Sequence, residues 1–300
     1  MCVTNPISLV GAILNAMVLA AMLSDPTKLL CLRMDKIILL LNMTSLLFAL
    51  FLVFVENLGQ MWYNSAWFSS FQGAGQCFLV ILLFALNMLL AIERYMFMRF
   101  PRRMRNDYLF VCLGFIVICG GIVLWLFTTS PTFDGVNPIN ELQYTIWLFG
   151  FAGALIISIT ISVTMYTLSY LHIVKLIAVS TNASQAVKTK AQQLQKRSLI
   201  SCMVMSSSLL ICYAPEAIFQ VIAANVNLSE TGTLVANVIT DIFLASDSAV
   251  TALLILYFRA HVRSRFWKMF GFGIVGQNWI LNDDDEFMEL VGVSGSSGNS

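Results

Sequence analysis

The sequence predicts an all-α membrane protein, a bundle of seven transmembrane helices followed by a short interfacial eighth helix. Three observations lead there. The 300 residues are 58% hydrophobic and only 11% charged, whereas soluble globular chains carry about 25% charged residues. The charges leave long gaps, at residues 3–24, 37–55, 57–92, 108–133, 142–174 and 198–215. Finally, every Lys and Arg falls in alternate connections between apolar runs. With a mean hydropathy of +0.81, the chain has too few polar groups to cover the surface of a soluble fold. That disfavours a cytosolic enzyme and a nucleic-acid binder.

A run of about 20 apolar residues crosses a bilayer as a helix, because 1.5 Å per residue covers roughly 30 Å of hydrocarbon. Span one is expected at 5–24 and span two at 36–57. The gap 57–92 is too long for one helix. Its start, Gln60-Met-Trp-Tyr-Asn-Ser-Ala-Trp67, is polar and aromatic and reads as an interfacial loop. Span three follows at 69–98 and span four at 107–129. Span five, at 144–176, is long enough to project beyond the membrane. Span six is expected at 196–224. Span seven, at 233–258, holds Asp241 and Asp247. A membrane β-barrel is disfavoured, since its strands need only about 10 residues and alternate polar with apolar.

Short cytoplasmic loops are enriched in Lys and Arg. Loop one holds Lys28, Arg33 and Lys36. Loop three and its flanks hold Arg94, Arg99, Arg102, Arg103 and Arg105. Loop five and its flanks hold Lys175, Lys188, Lys190, Lys196 and Arg197. Arg259, Arg263, Arg265 and Lys268 follow span seven. These are all 17 basic residues of the chain. The N-terminus is therefore expected outside and the C-terminus in the cytoplasm, at the plasma membrane, and only an odd number of spans fits. No basic residue precedes the first apolar run, so that run reads as a membrane helix rather than a cleavable signal.

Most of the seven cysteines lie inside spans, where Cys acts as a small apolar residue. Cys77 sits in the outer half of span three. Loop 130–143 has no cysteine to pair with it, which leaves Cys2 as the conceivable partner. There is no zinc-like spacing and no glycine-rich phosphate loop, so neither metal nor cofactor is expected. Asn227-Leu-Ser229 is an outer-side glycosylation sequon. Asn42-Met-Thr44 is intramembrane and Asn182-Ala-Ser184 cytoplasmic, so neither is expected to be used.

Several motifs fall in a telling order. Leu90-Ala-Ile-Glu-Arg-Tyr-Met-Phe-Met-Arg-Phe-Pro101 closes span three. Gly11 and Asn15 lie in span one, Leu41-Asn42 opens span two and Tyr170 lies low in span five. Cys212-Tyr-Ala-Pro215 lies in span six and Ser248-Ala-Val in span seven. Together they resemble rhodopsin-like G-protein-coupled receptors. Glu93-Arg94-Tyr95 is similar to the family's Asp/Glu-Arg-Tyr, and Cys212–Pro215 to its Cys-Trp-x-Pro with Tyr213 for Trp. The resemblance covers residues 5–270. It departs from the family where Leu46 and Leu47 stand in place of the span-two aspartate, so sodium modulation does not carry over. Ala252-Leu-Leu-Ile-Leu-Tyr257 replaces Asn-Pro-x-x-Tyr. The helix-five proline, the helix-four tryptophan and the usual outer disulfide are missing. The resemblance is to a divergent member.

By that resemblance, Arg94 would contact a heterotrimeric G protein once helix six swings out, with Glu93, Tyr95, Tyr170, Tyr213 and Pro215 completing the switch. Otherwise Arg94 is one more positive-inside residue. Pro215 removes a backbone hydrogen bond and gives span six a pivot, although prolines are also tolerated in membrane helices without such a role. The family's acidic partner at the base of helix six is replaced by Gln195-Lys196-Arg197, which predicts high basal activity. Carboxylates in hydrocarbon are costly and read as functional. Glu216 and Asp241, with Gln76, Cys77, Tyr213 and Gln220, are the candidate ligand pocket. Asp241 has the alternative reading of an interfacial residue near a helix end. Asn15, Asp247 and Ser248 form a candidate intramembrane polar centre.

Residues 259–270 read as the interfacial helix. Val262, Phe266, Met269 and Phe270 share its apolar stripe, and Arg263, Arg265 and Lys268 face headgroups. Residues 1–270 are thus expected to form the receptor domain. Residues 271–300, acidic at Asp283–Glu286 and Ser/Gly-rich at the end, are expected to form a disordered cytoplasmic tail.

A retinal protein would need a lysine in span seven, and 233–258 has none. A multi-pass transporter, or a seven-helix protein without G-protein coupling, remains the alternative, though no internal repeat supports the former. No enzyme is expected. The two histidines, His172 and His261, form no cluster. Asp241 and Asp247 lie about 120° apart on a helix, so they cannot pair as a hydrolytic dyad. The expected function is a receptor for an unknown extracellular ligand, embedded in lipid and coupled to a G protein.

Overall fold

The structure is a computed structural model that describes residues 4–24, 33–62, 66–99, 114, 121, 133–134, 137–138, 141–179, 185–225 and 230–270. It is an all-helical bundle with one small two-stranded turn. Span one is the helix Thr4–Leu23, span two Arg33–Trp62 and span three Ala66–Arg99. Span five is Glu141–Val179, span six Gln185–Asn225 and span seven Glu230–Phe258. Six of the described helices are long and apolar enough to cross a membrane. Most of the expected fourth span lies outside the described residues, as do the loop 100–106, the sequon at Asn227, Cys2 and the tail 271–300. Phe133–Asp134 pairs antiparallel with Asn137–Pro138, a hairpin inside the segment read as an outer loop. "Inner" below means the ends that carry Lys and Arg.

Two boundaries differ from expectation. Span two runs on through Trp62 and span three begins at Ala66, so most of the aromatic stretch 60–67 belongs to helix ends. Span six begins at Gln185, about three turns before the first wholly apolar residues. The extension Gln185-Ala-Val-Lys-Thr-Lys-Ala-Gln-Gln-Leu-Gln195 holds mainly good helix formers and neither Gly nor Pro. Hydropathy sees only the part inside the membrane; propensity carries the helix past it.

Span one packs its stripe Ser8, Gly11, Ala12, Asn15 and Val18 inward. A Cβ at Gly11 would overlap Ser248 Oγ, so only glycine lets spans one and seven approach this closely. Small residues at such seams replace the hydrophobic drive that lipid does not supply. Gly75 plays the same part for spans three and two, where a Cβ would meet the Phe51 ring at 2.5 Å. At the inner end the chain leaves span seven at Arg259, in extended conformation, and turns into the interfacial helix Ala260–Met269. Val262 and Phe266 are buried against the bundle, whereas Met269 and Phe270, expected on the same apolar stripe, are exposed at its end.

Candidate functional site

Three polar groupings run down the bundle axis, and the middle one is the best defined. Tyr213 of span six is fully buried. Its hydroxyl donates to Asp247 Oδ2 of span seven at 3.1 Å. Its ring meets Phe84 of span three edge-on, with centroids 5.0 Å apart. One side chain therefore ties spans three, six and seven together, two residues before Pro215. The span-six helix continues through Pro215, and the proline leaves the Ile211 carbonyl without its usual i+4 donor. Within the expected polar centre, Asp247 bonds to Tyr213 of span six. Asn15 Nδ2 donates to the carbonyls of Gly11 at 2.8 Å and Ser248 at 2.7 Å. Asn42 Nδ2 donates to the Asn15 carbonyl at 3.0 Å. Asn15 and Ser248 are thus brought together, and Asn42 joins them from span two. Asn15 Oδ1, Asn42 Oδ1 and Asp247 Oδ1 are buried acceptors with no donor among the described residues, chemically suited to water or a small cation. No group of three or more His, Cys, Asp or Glu side chains that could hold a metal occurs among the described residues.

At the inner end, Arg94 is only 4% exposed. A positive-inside arginine ordinarily snorkels its guanidinium to water; this one is drawn into the bundle, where Nη1 reaches Met34 Sδ at 3.8 Å. Glu93 and Tyr95 beside it are half-buried. Asp35, at the start of span two, accepts an ion pair from Arg259 at 3.0 Å. That pair fastens span two to the junction of span seven and the interfacial helix. Tyr170 does not join this group. It is 56% exposed, because Ser162, Tyr166 and Ser169 hold the inward stripe of span five and Tyr170 lies about 80° round the helix from it.

At the outer end, Glu56 of span two accepts a hydrogen bond from the Thr4 hydroxyl. Glu56 and Asp241 are near enough for their charges to interact, as are Asp241 and Glu216. Asp241 is exposed and Glu216 half-buried. Gln76 is half-buried, and Cys77 is a buried free thiol. The side chain of Gln220 lies outside the described residues. Asp247 is fully buried while Asp241 is exposed, so the two aspartates of span seven face different surroundings, as their spacing requires.

Glu56, Asp35, Asn87 and the pairing role of Arg259 escape a reading of the sequence. Glu56 leaves a signal, an acid at the outer end of span two at the depth of Asp241. Asp35 leaves a weaker one, an acid set in a basic loop flank.

The fold has a counterpart among solved structures. Squid rhodopsin superimposes with a TM-score of 0.75 at 16% identity, over 99% of this chain and 90% of that one. At that identity the likeness speaks for the fold alone: a rhodopsin-like seven-helix bundle. No protein-family model matches the chain, and no curated protein sequence matches it.

Proposed function

We propose that this chain is a plasma-membrane receptor, residues 1–270 being its receptor domain. It binds an extracellular ligand at the outer acids and signals to a heterotrimeric G protein at the inner end. The observation that carries the reading is the burial of Arg94 between Glu93 and Tyr95. An arginine kept for topology has no reason to leave the headgroups. One held inside the bundle at the end of span three is placed to meet a helix that enters from the inner side. Tyr213 and Pro215 supply the hinge, since the Tyr213–Asp247 bond couples the pivot of span six to span seven. Glu56, Glu216 and Asp241 converge on the outer side, where the sequence has no Lys or Arg. They suit a ligand with a positive charge. Asn15, Asp247 and Ser248 form the polar centre between the two ends.

The decisive experiment is nucleotide exchange on purified G protein by the reconstituted wild type and Arg94→Ala. Wild type accelerates exchange, measurably so without ligand because span six lacks an acidic lock. Arg94→Ala, equally well folded, lowers it at least tenfold. Equal exchange by both proteins overturns the role of Arg94. No exchange by well-folded wild type with any of a panel of amine ligands and G-protein classes overturns the receptor reading. In the same assay Glu216→Gln raises the half-maximal concentration of an activating amine, and unchanged potency removes Glu216 from the pocket.

A further inference from the structure

Spans three, five and six enclose a cavity of about 400 Å³ that belongs to neither end of the proposed signalling route. Its lining residues all lie within the apolar stretches Phe71–Met96, Gly153–His172 and Leu199–Phe219. It therefore sits at hydrocarbon depth, and none of its described lining residues lies outside a helix. The residues at its mouth, Val163, Tyr170, Ile200 and Met203, are exposed on the outward faces of spans five and six. In a bilayer that mouth opens on acyl chains.

The floor differs from the walls. Tyr166 lies 3.1 Å from Ser206 Oγ, and Ser206 Oγ donates to Asn87 Oδ1 at 3.3 Å. Since the Ser206 proton goes to Asn87, Tyr166 is the donor of the first bond. Ser158 donates to the Phe84 carbonyl at 3.1 Å, which knits span five to span three beside the chain. Hydroxyl and amide groups of this kind accept as well as donate. Among the described residues, no lining side chain carries a formal charge. A charged guest would have to shed its water with nothing to pair with. A purely apolar guest would gain little over lipid, because acyl chains are as apolar as the walls.

We propose that this cavity is a binding site for a neutral lipophile bearing a hydroxyl or carbonyl group, which enters sideways from the bilayer and hydrogen-bonds to the Asn87–Ser206–Tyr166 floor. The volume falls in the range of small-molecule pockets, about 300–1,000 Å³. The site stands whether or not the chain couples to a G protein.

The test uses the full chain in phosphatidylcholine nanodiscs and a diazirine-tagged fatty alcohol, with labelled peptides mapped by mass spectrometry. Labelling of span-five and span-six peptides is saturable. Untagged alcohol competes; the matching alkane and the matching alkyl ammonium do not. Ser207→Trp fills the mouth from an exposed position and lowers labelling roughly tenfold. Ser206→Ala removes the hydroxyl without adding bulk to the cavity, and weakens apparent affinity about fivefold, the effect of one hydrogen bond. Non-saturable labelling, equal competition by the alkane, or saturable labelling unchanged in both variants overturns the proposal. Should Ser207→Trp fail to fold, Ser206→Ala alone decides it.

Discussion

Along the seam of spans one, two and seven, helices close on a glycine; along the flank of spans five and six, a cavity opens beside the Tyr166–Ser206 contact. The seam has Gly11 against Ser248, and Asn15 and Asn42 bonded to main-chain carbonyls of neighbouring helices. The Asp35–Arg259 pair closes its inner end. The flank exposes Ile156, Ile157, Val163 and Tyr170 on one helix and Ile200, Met203 and Ile211 on the next. Its polar contacts are the Tyr166–Ser206–Asn87 chain and the bond from Ser158 to the Phe84 carbonyl. The difference teaches how one bundle combines a closely packed frame with a flank that keeps open volume. Main-chain contacts at a glycine seam cannot slide, whereas a flank that meets lipid can repack at little cost. Tyr213 stands between the two, bonded to the frame through Asp247.

The sharpest way to break this comparison is Gly11→Val. No rotamer avoids Ser248, so spans one and seven must part, at a cost of about 3 kcal/mol. Thermal denaturation in detergent then shows a midpoint about 5–10 °C lower. A midpoint within a degree of wild type means that the seam is not a tight frame. Next comes Tyr213→Phe, which leaves Asp247 Oδ2 buried without its donor and costs about 1–2 kcal/mol. Because the flank is already loose, this variant also raises ligand-free nucleotide exchange; a stability loss with no change in exchange would separate the bond from the switch. Asp35→Asn loses the ion pair to the partly exposed Arg259, for about 1 kcal/mol, reduced further at high salt. Equal midpoints at low and high salt would remove the pair from the frame. The smallest effect is expected on the flank. Val163→Ser, at an exposed position facing lipid, shifts stability by under about 0.5 kcal/mol, and a larger loss would make the flank as rigid as the seam.

Much of the frame is legible in the sequence. Gly11 and Asn15 stand out through the resemblance to rhodopsin-like receptors, and the packing supplies the reason for both: glycine for contact with Ser248, asparagine to bridge two helices. Spans one, two, three, five, six and seven can be found because lipid demands long apolar runs. The interfacial helix can be found because only there does one face meet water and the other the bundle. The site is less legible. Arg94 draws notice through its neighbours, but nothing in the sequence distinguishes burial from snorkelling. Tyr170, expected at the inner cavity, lies on the lipid-facing edge. Asn87, in the middle of an apolar helix, gives no sign of its role in the cavity floor.

One physical reason covers these cases. In water a helix announces its inward face by the polarity of the opposite one. In lipid both faces are apolar, so the rotation of each span about its axis leaves almost no trace in the sequence. By itself the sequence determined the lengths of the membrane helices and the expected side of every Lys and Arg, since hydrocarbon thickness and charge act on local composition. Only the tertiary structure decided which residues meet across helices: Tyr213 with Asp247, Asp35 with Arg259, and Glu56 with Thr4. Those pairings depend on helix rotation and register, and packing between helices sets both.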